Sequence, residues 1–101
     1  MSIPPTFDPS QCKWGYLPTI TKPYTERGDS GTYVGYLRGV LKCKSGQTQL
    51  TVNPPPGPWN FNWVLKEAVM DFQTFWGLTV DGEVGPQTWP LIDWASAGFP
   101  T

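Results

Sequence analysis

The chain has 101 residues, a net charge of −1, no histidine and 15% charged residues. That length fits one domain with one modest core, and the charge offers no basic patch for a nucleic-acid backbone. With no histidine and no Cys-x2-Cys spacing, a metal site is not expected, nor is any cofactor. Six Trp, five Phe and four Tyr give the core bulk, while twelve prolines and eleven glycines commit much of the backbone to loops. Residues 1–50 carry net +3 and residues 51–101 net −4, an asymmetry read as chance in a small protein rather than as a docking surface. No charged start followed by an apolar stretch is visible, so no secretory signal is expected. No run of about twenty apolar residues predicts a membrane span.

Residues 1–27 read as an extended arm. Prolines at 4, 5, 9, 18 and 23 forbid a long helix. Phe7, Trp14, Tyr16, Leu17, Ile20 and Tyr24 make the arm too apolar to stand free in water. It either wraps its own domain, the preferred reading, or docks on a partner. Cys12 in the arm and Cys43 lie 31 positions apart. A bridge between them would contribute about 3–4 kcal/mol in the chain-entropy picture. Two reduced thiols are the alternative, and the redox compartment decides between them.

A first helix follows Gly28, capped by Asp29 or Ser30. Val34, Leu37 and Leu41 recur at helical spacing with Tyr33 and Val40 beside them, and Gly46 ends the helix. Gly31, Gly35 and Gly39 recur every four residues and leave a smooth stripe for close approach, with the aromatic arm as candidate occupant. Residues 47–62 form a Pro-rich loop between helices 1 and 2. The alternation from Gln47 to Val52 predicts a short strand. Prolines 54–56 and 58 are rigid and present Trp59 and Phe61.

The best helix starts near Asn62 and runs to Trp76. Leu65, Ala68, Val69, Phe72, Phe75 and Trp76 share one face, and Lys66, Glu67, Asp71, Gln73 and Thr74 the other. Gly77 ends it. A short third helix is expected from Pro86 through Thr88, Trp89, Leu91, Ile92 and Trp94, with Pro90 in its second turn. Residues 96–101 read as a tail, leaving 28–95 as the folded domain. Between the last two helices, Asp81 and Gly82 predict a tight turn. Val84 plugs inward, Gly85 lets the backbone close up, and Trp89 covers the loop.

The stretch FQTFWGLTVDGEVGPQTW resembles the peptidoglycan-binding domain family. The family repeat reads FQ, three residues, GL, one residue, VDG, one residue, VGP, one residue, TW. Phe72, Gln73, Gly77, Leu78, Val80, Asp81, Gly82, Val84, Gly85, Pro86, Thr88 and Trp89 fall on it, and Ala68 and Val69 extend the match. Gly28, Asp29, Val34, Leu37 and Leu41 fit the family's first helix loosely. Arg38 stands where the family has Gln, and the Pro-rich segment replaces the family's first DG-x-FG turn. The resemblance covers about residues 28–92 and implies a mainly α fold, a small three-helix bundle, here with the extended arm added.

It also implies a module that holds peptidoglycan. The expected contacts are Tyr36, Trp59, Trp63, Asp81, Glu83, Gln87 and Trp89, through sugar stacking and backbone amides. For several of these a structural role competes: Asp81 is first a turn former, Trp63 and Trp89 read as core, and Trp59 reads as the best exposed aromatic. Catalysis is not expected, because Cys12 and Cys43 lack a histidine base and Asp81 and Glu83 share one loop rather than facing across a cleft. The expected location is the bacterial cell wall surface, with no nucleic-acid or membrane partner. The alternative is a bacteriophage virion protein, decorating a capsid or tail and docking through its arm.

Overall fold

A computed structural model describes residues 24–53 and 57–96, and the rest of the expected arm and the end of the tail lie outside the described residues. Three helices follow in order: α1 Thr32–Lys44, α2 Trp63–Phe75 and α3 Trp89–Ser96. The mainly α, three-helix expectation holds. No helix among the described residues is long and apolar enough to cross a membrane.

The start of α1 departs from expectation. Its N-cap is Gly31, with φ +118 and no side-chain cap. Asp29 does not cap because its Oδ2 accepts from the Glu26 N–H at 2.9 Å. Ser30 is committed instead to an antiparallel bridge with Asn60. At the far end Lys42 and Lys44 sit where the helix dipole favours cations. Gly46 turns the chain at φ +73, and the Gln47 N–H reaches back to the Leu41 carbonyl.

Asn62 caps α2, its side-chain oxygen accepting from the Leu65 N–H at 3.0 Å. The helix closes in a Schellman arrangement: Leu78 N–H bonds to Gln73 O and Gly77 N–H to Thr74 O, with Gly77 at φ +71. Leu65, Ala68, Val69 and Phe72 are buried as their spacing requires. Two assignments to its faces are corrected. Phe75 is 79% exposed, and Gln73 is fully buried because it organises the loop beyond the helix.

α3 begins three residues later than expected. Residues 86–88 form a turn in which the Thr88 and Trp89 N–H groups both donate to the Gly85 carbonyl. Pro90 therefore lies in the first turn of α3, where a missing N–H forfeits no helical bond. α1 packs against both α2 and α3. Val34, Leu37, Leu41, Phe61, Leu65, Phe72, Val84 and Ile92 fill the shared core.

The strand expected at Gln47 to Val52 is absent. Residues 48–49 turn, Leu50 is buried, and the Thr51 carbonyl is taken by the Arg38 guanidinium instead of a neighbouring strand. Arg38 is itself buried and also donates to Asn60 O and Asn62 Oδ1. Burial pushes its pKa below the ordinary guanidinium value. In the place the family gives to Gln, this longer side chain ties both ends of the Pro-rich segment to α1.

At Gly35 the glycine stripe receives Trp59 rather than the described part of the arm. A Cβ at Gly35 would lie 2.5 Å from the Trp59 indole, so only glycine admits that ring. The Trp59 indole N–H donates to Asn53 O at 2.7 Å, and its backbone carbonyl accepts from Gly31 N–H. The expected exposed aromatic is thus 6% exposed and belongs to the core.

Candidate functional site

The loop from Gly77 to Thr88 is built around one amide. Gln73 Oε1 accepts from the Asp81 and Gly82 N–H groups at 3.1 and 3.0 Å. Its Nε2 lies 3.0 Å from Asp81 Oδ1, 2.8 Å from Glu83 O and 3.2 Å from Thr88 Oγ1. Asp81 Oδ1 also accepts from the Glu83 N–H at 2.9 Å, which closes the turn as its sequence implies. Gly82 takes φ +73 and is covered by the Lys66 side chain. Gln87 braces the outer side, its amide exchanging hydrogen bonds with the Thr79 N–H and carbonyl.

Residues 24–27 lie on this loop. Thr25 and Val84 exchange backbone hydrogen bonds at 3.0 and 2.8 Å. The Tyr24 ring rests on Gly85, where a Cβ would meet it at 2.9 Å. The Tyr24 hydroxyl donates to Glu83 Oε1. That hydrogen bond, with burial and the charges of Glu83, Asp81 and Glu26 adding to it, raises the phenol pKa from 10.0 to about 12. The described end of the arm therefore wraps its own domain.

Trp63 opens α2 beside this loop and is 55% exposed, which corrects its reading as core. Arg27 Cζ and Lys66 Nζ each lie 5.6 Å from its ring centroid. An indole flanked by two cations thus adjoins an acidic loop, with Lys66 touching both.

The seven expected contact residues divide accordingly. Trp63, Asp81 and Gln87 are exposed and Glu83 is half-buried around the loop. Tyr36, Trp59 and Trp89 are buried in the core, so their rings are not open to a ligand. Tyr36 and Trp89 stack at 6.3 Å with 17° between planes, and the Tyr36 hydroxyl donates to Asp93 at 2.9 Å. Cys43 is disulfide-bonded, and Cys12, the sequence's other cysteine, lies outside the described residues. No group of three or more His, Cys, Asp or Glu side chains that could hold a metal ion occurs among the described residues.

Sequence reasoning missed the Tyr24–Glu83 contact and the two cations beside Trp63. Arg27 and Trp63 are far apart in the chain, and no local pattern announces that they meet. It also missed an aromatic group at the far ends of α2 and α3, where Trp76 meets Phe75 at 5.1 Å and Trp94 at 5.4 Å, both edge to face.

Comparison with known proteins bears on this loop directly. The family model for the peptidoglycan binding domain matches residues 47–92. An uncharacterized protein in the bpoA1 3' region of Kitasatospora aureofaciens is 34% identical over 89 residues, which span 88% of this chain and 70% of that protein. No solved structure matches.

Proposed function

Because the chain belongs to the peptidoglycan-binding domain family, we propose that it is a non-catalytic module that holds the bacterial cell wall on the face around Trp63, Asp81, Glu83 and Gln87. The observation that carries this reading is the exposed Trp63 indole between Arg27 and Lys66, beside the braced loop. An indole face stacks on the apolar side of a sugar ring, and the two cations suit the carboxylates of a stem peptide.

A binding rather than catalytic role is supported by how the acids are used. Asp81 Oδ1 accepts from Gln73 and from the Glu83 N–H, and Glu83 accepts from Tyr24. Carboxylates committed to holding a loop together are poorly placed to exchange protons with a substrate. The cell-wall surface follows as its place of action. The alternative of a capsid or tail component docking through its arm gains no support from residues 24–27, which pair with the chain's own loop.

Co-sedimentation with purified sacculi tests the reading. Wild-type protein is expected in the pellet at low salt and Trp63→Ala in the supernatant. Wild-type protein that stays in solution would sink it.

A further inference from the structure

Between residues 24–30 and the start of α1 lies a cleft of about 270 Å³, lined by Tyr24, Thr25, Asp29, Ser30, Tyr33 and Val34. Its size falls just under the roughly 300 Å³ at which small-molecule pockets begin. That is room for one ring with its substituents, not for a disaccharide. The lining combines two phenol rings, two hydroxyl-bearing side chains and one carboxylate. Asp29 Oδ2 is occupied by the Glu26 N–H, leaving Oδ1 as an acceptor. Asp29 is the one formal charge in the lining and it is negative, so an anionic ligand is disfavoured. A purely apolar ligand would strand the Ser30 hydroxyl and the Asp29 carboxylate. A neutral polyhydroxylated ring satisfies all three kinds of group, with its C–H face against a tyrosine and its hydroxyls donating to Asp29.

We infer that this cleft seats one N-acetylated sugar ring of the glycan strand, an assignment that rests on the peptidoglycan reading above. Tyr24 joins the two regions, because it lines the cleft and also bonds to Glu83 on the loop face. The glycan strand then has two contacts, one ring in the cleft and another at Trp63, with the peptide carboxylates at Arg27 and Lys66.

The test is an amide-resolved NMR titration of the full chain with a tetramer of β-1,4-linked N-acetylglucosamine, a glycan that carries no stem peptide. Saturable shifts are expected at residues 24–34. Ser30→Trp fills the cleft from an exposed side chain without touching the Ser30–Asn60 backbone pairing. It should weaken the tetramer at least about tenfold, the change expected for about 1.4 kcal/mol of lost contact. Tyr33→Leu, which keeps an apolar side chain on α1, should weaken it in the same direction and serves if the first variant does not fold. Absence of shifts in this segment, or wild-type affinity in a folded variant, overturns the assignment. Sacculus sedimentation run alongside separates the two ideas. Sacculi retained while the tetramer ignores the cleft removes the sugar site alone, and failure of both removes the peptidoglycan reading beneath it.

Discussion

Gln73 and Asp81 hold each other by two hydrogen bonds of opposite sense: the Asp81 N–H donates to Gln73 Oε1 at 3.1 Å, and Gln73 Nε2 donates to Asp81 Oδ1 at 3.0 Å. The helix thereby carries the template for the loop that follows it. Gln73→Leu keeps the volume but strands the buried Gly82 N–H, at about 1–3 kcal/mol for a buried group left without a partner, and also removes the two bonds to Asp81. A loss of about 3 kcal/mol is expected in urea unfolding. A loss below about 0.5 kcal/mol would mean that the loop holds its shape without the amide.

Gly35 and Trp59 make a second dependence that unfolding can measure. Gly35→Ala places a methyl 2.5 Å from the indole, and overpacking of this kind costs about 1–3 kcal/mol. Most of that penalty should vanish in a Trp59→Leu background, giving a coupling above about 0.5 kcal/mol in a double-mutant cycle. Additive losses would show that the contact is slack.

The helices and the 77–86 turn were legible in the sequence because their signals are local: apolar spacing in α2, Asn62 before it, glycines at 77 and 82. What was not legible depends on partners distant in sequence. Trp59 looked exposed beside its prolines, and only the gap at Gly35, on another element, takes it into the core. Gln73 looked like surface because hydrogen bonding to a loop leaves no hydrophobic signature. Trp63 opens α2 just beyond its Asn62 cap, where spacing does not distinguish a core position from an edge. Arg38 departs from the family pattern in the sequence, but its bonds to Thr51 and Asn60, which stand in place of the strand that alternation predicts, depend on distant partners.

Trp63 separates binding from stability. Its ring is more than half exposed, so Trp63→Ala should change folding free energy by no more than about 0.5 kcal/mol. Retention on sacculi should fall about tenfold, equivalent to about 1.4 kcal/mol. An unfolding midpoint that drops with the retention would assign Trp63 a structural role instead.

Tyr24 predicts a dependence on alkaline pH. Its folded pKa is raised from 10.0 to about 12, first by the hydrogen bond to Glu83. The neutral phenol is the form that donates, so the stabilisation is complete below pH 10 and disappears as pH climbs through 12. Ultraviolet titration of phenolate should show a late-ionising component from Tyr24 that moves back toward 10.0 in Glu83→Gln. An unchanged late transition in that variant would assign the shift to another cause.

Thiol titration of the denatured chain without reductant should find no free cysteine, consistent with a disulfide-bonded Cys43. Cys43→Ser should cost about 3–4 kcal/mol if the bridge closes a loop of about thirty residues. One reactive thiol per chain would reveal a different pairing.

The backbone pairing of Thr25 with Val84 carries a temporal consequence. Beside it, Tyr24 and Glu83 meet across 59 positions. A ribosome releases the early partner long before the late one exists. Throughout that interval Tyr24 and Thr25 lack the partners they pair with, and this closure forms only after residue 84 has been made.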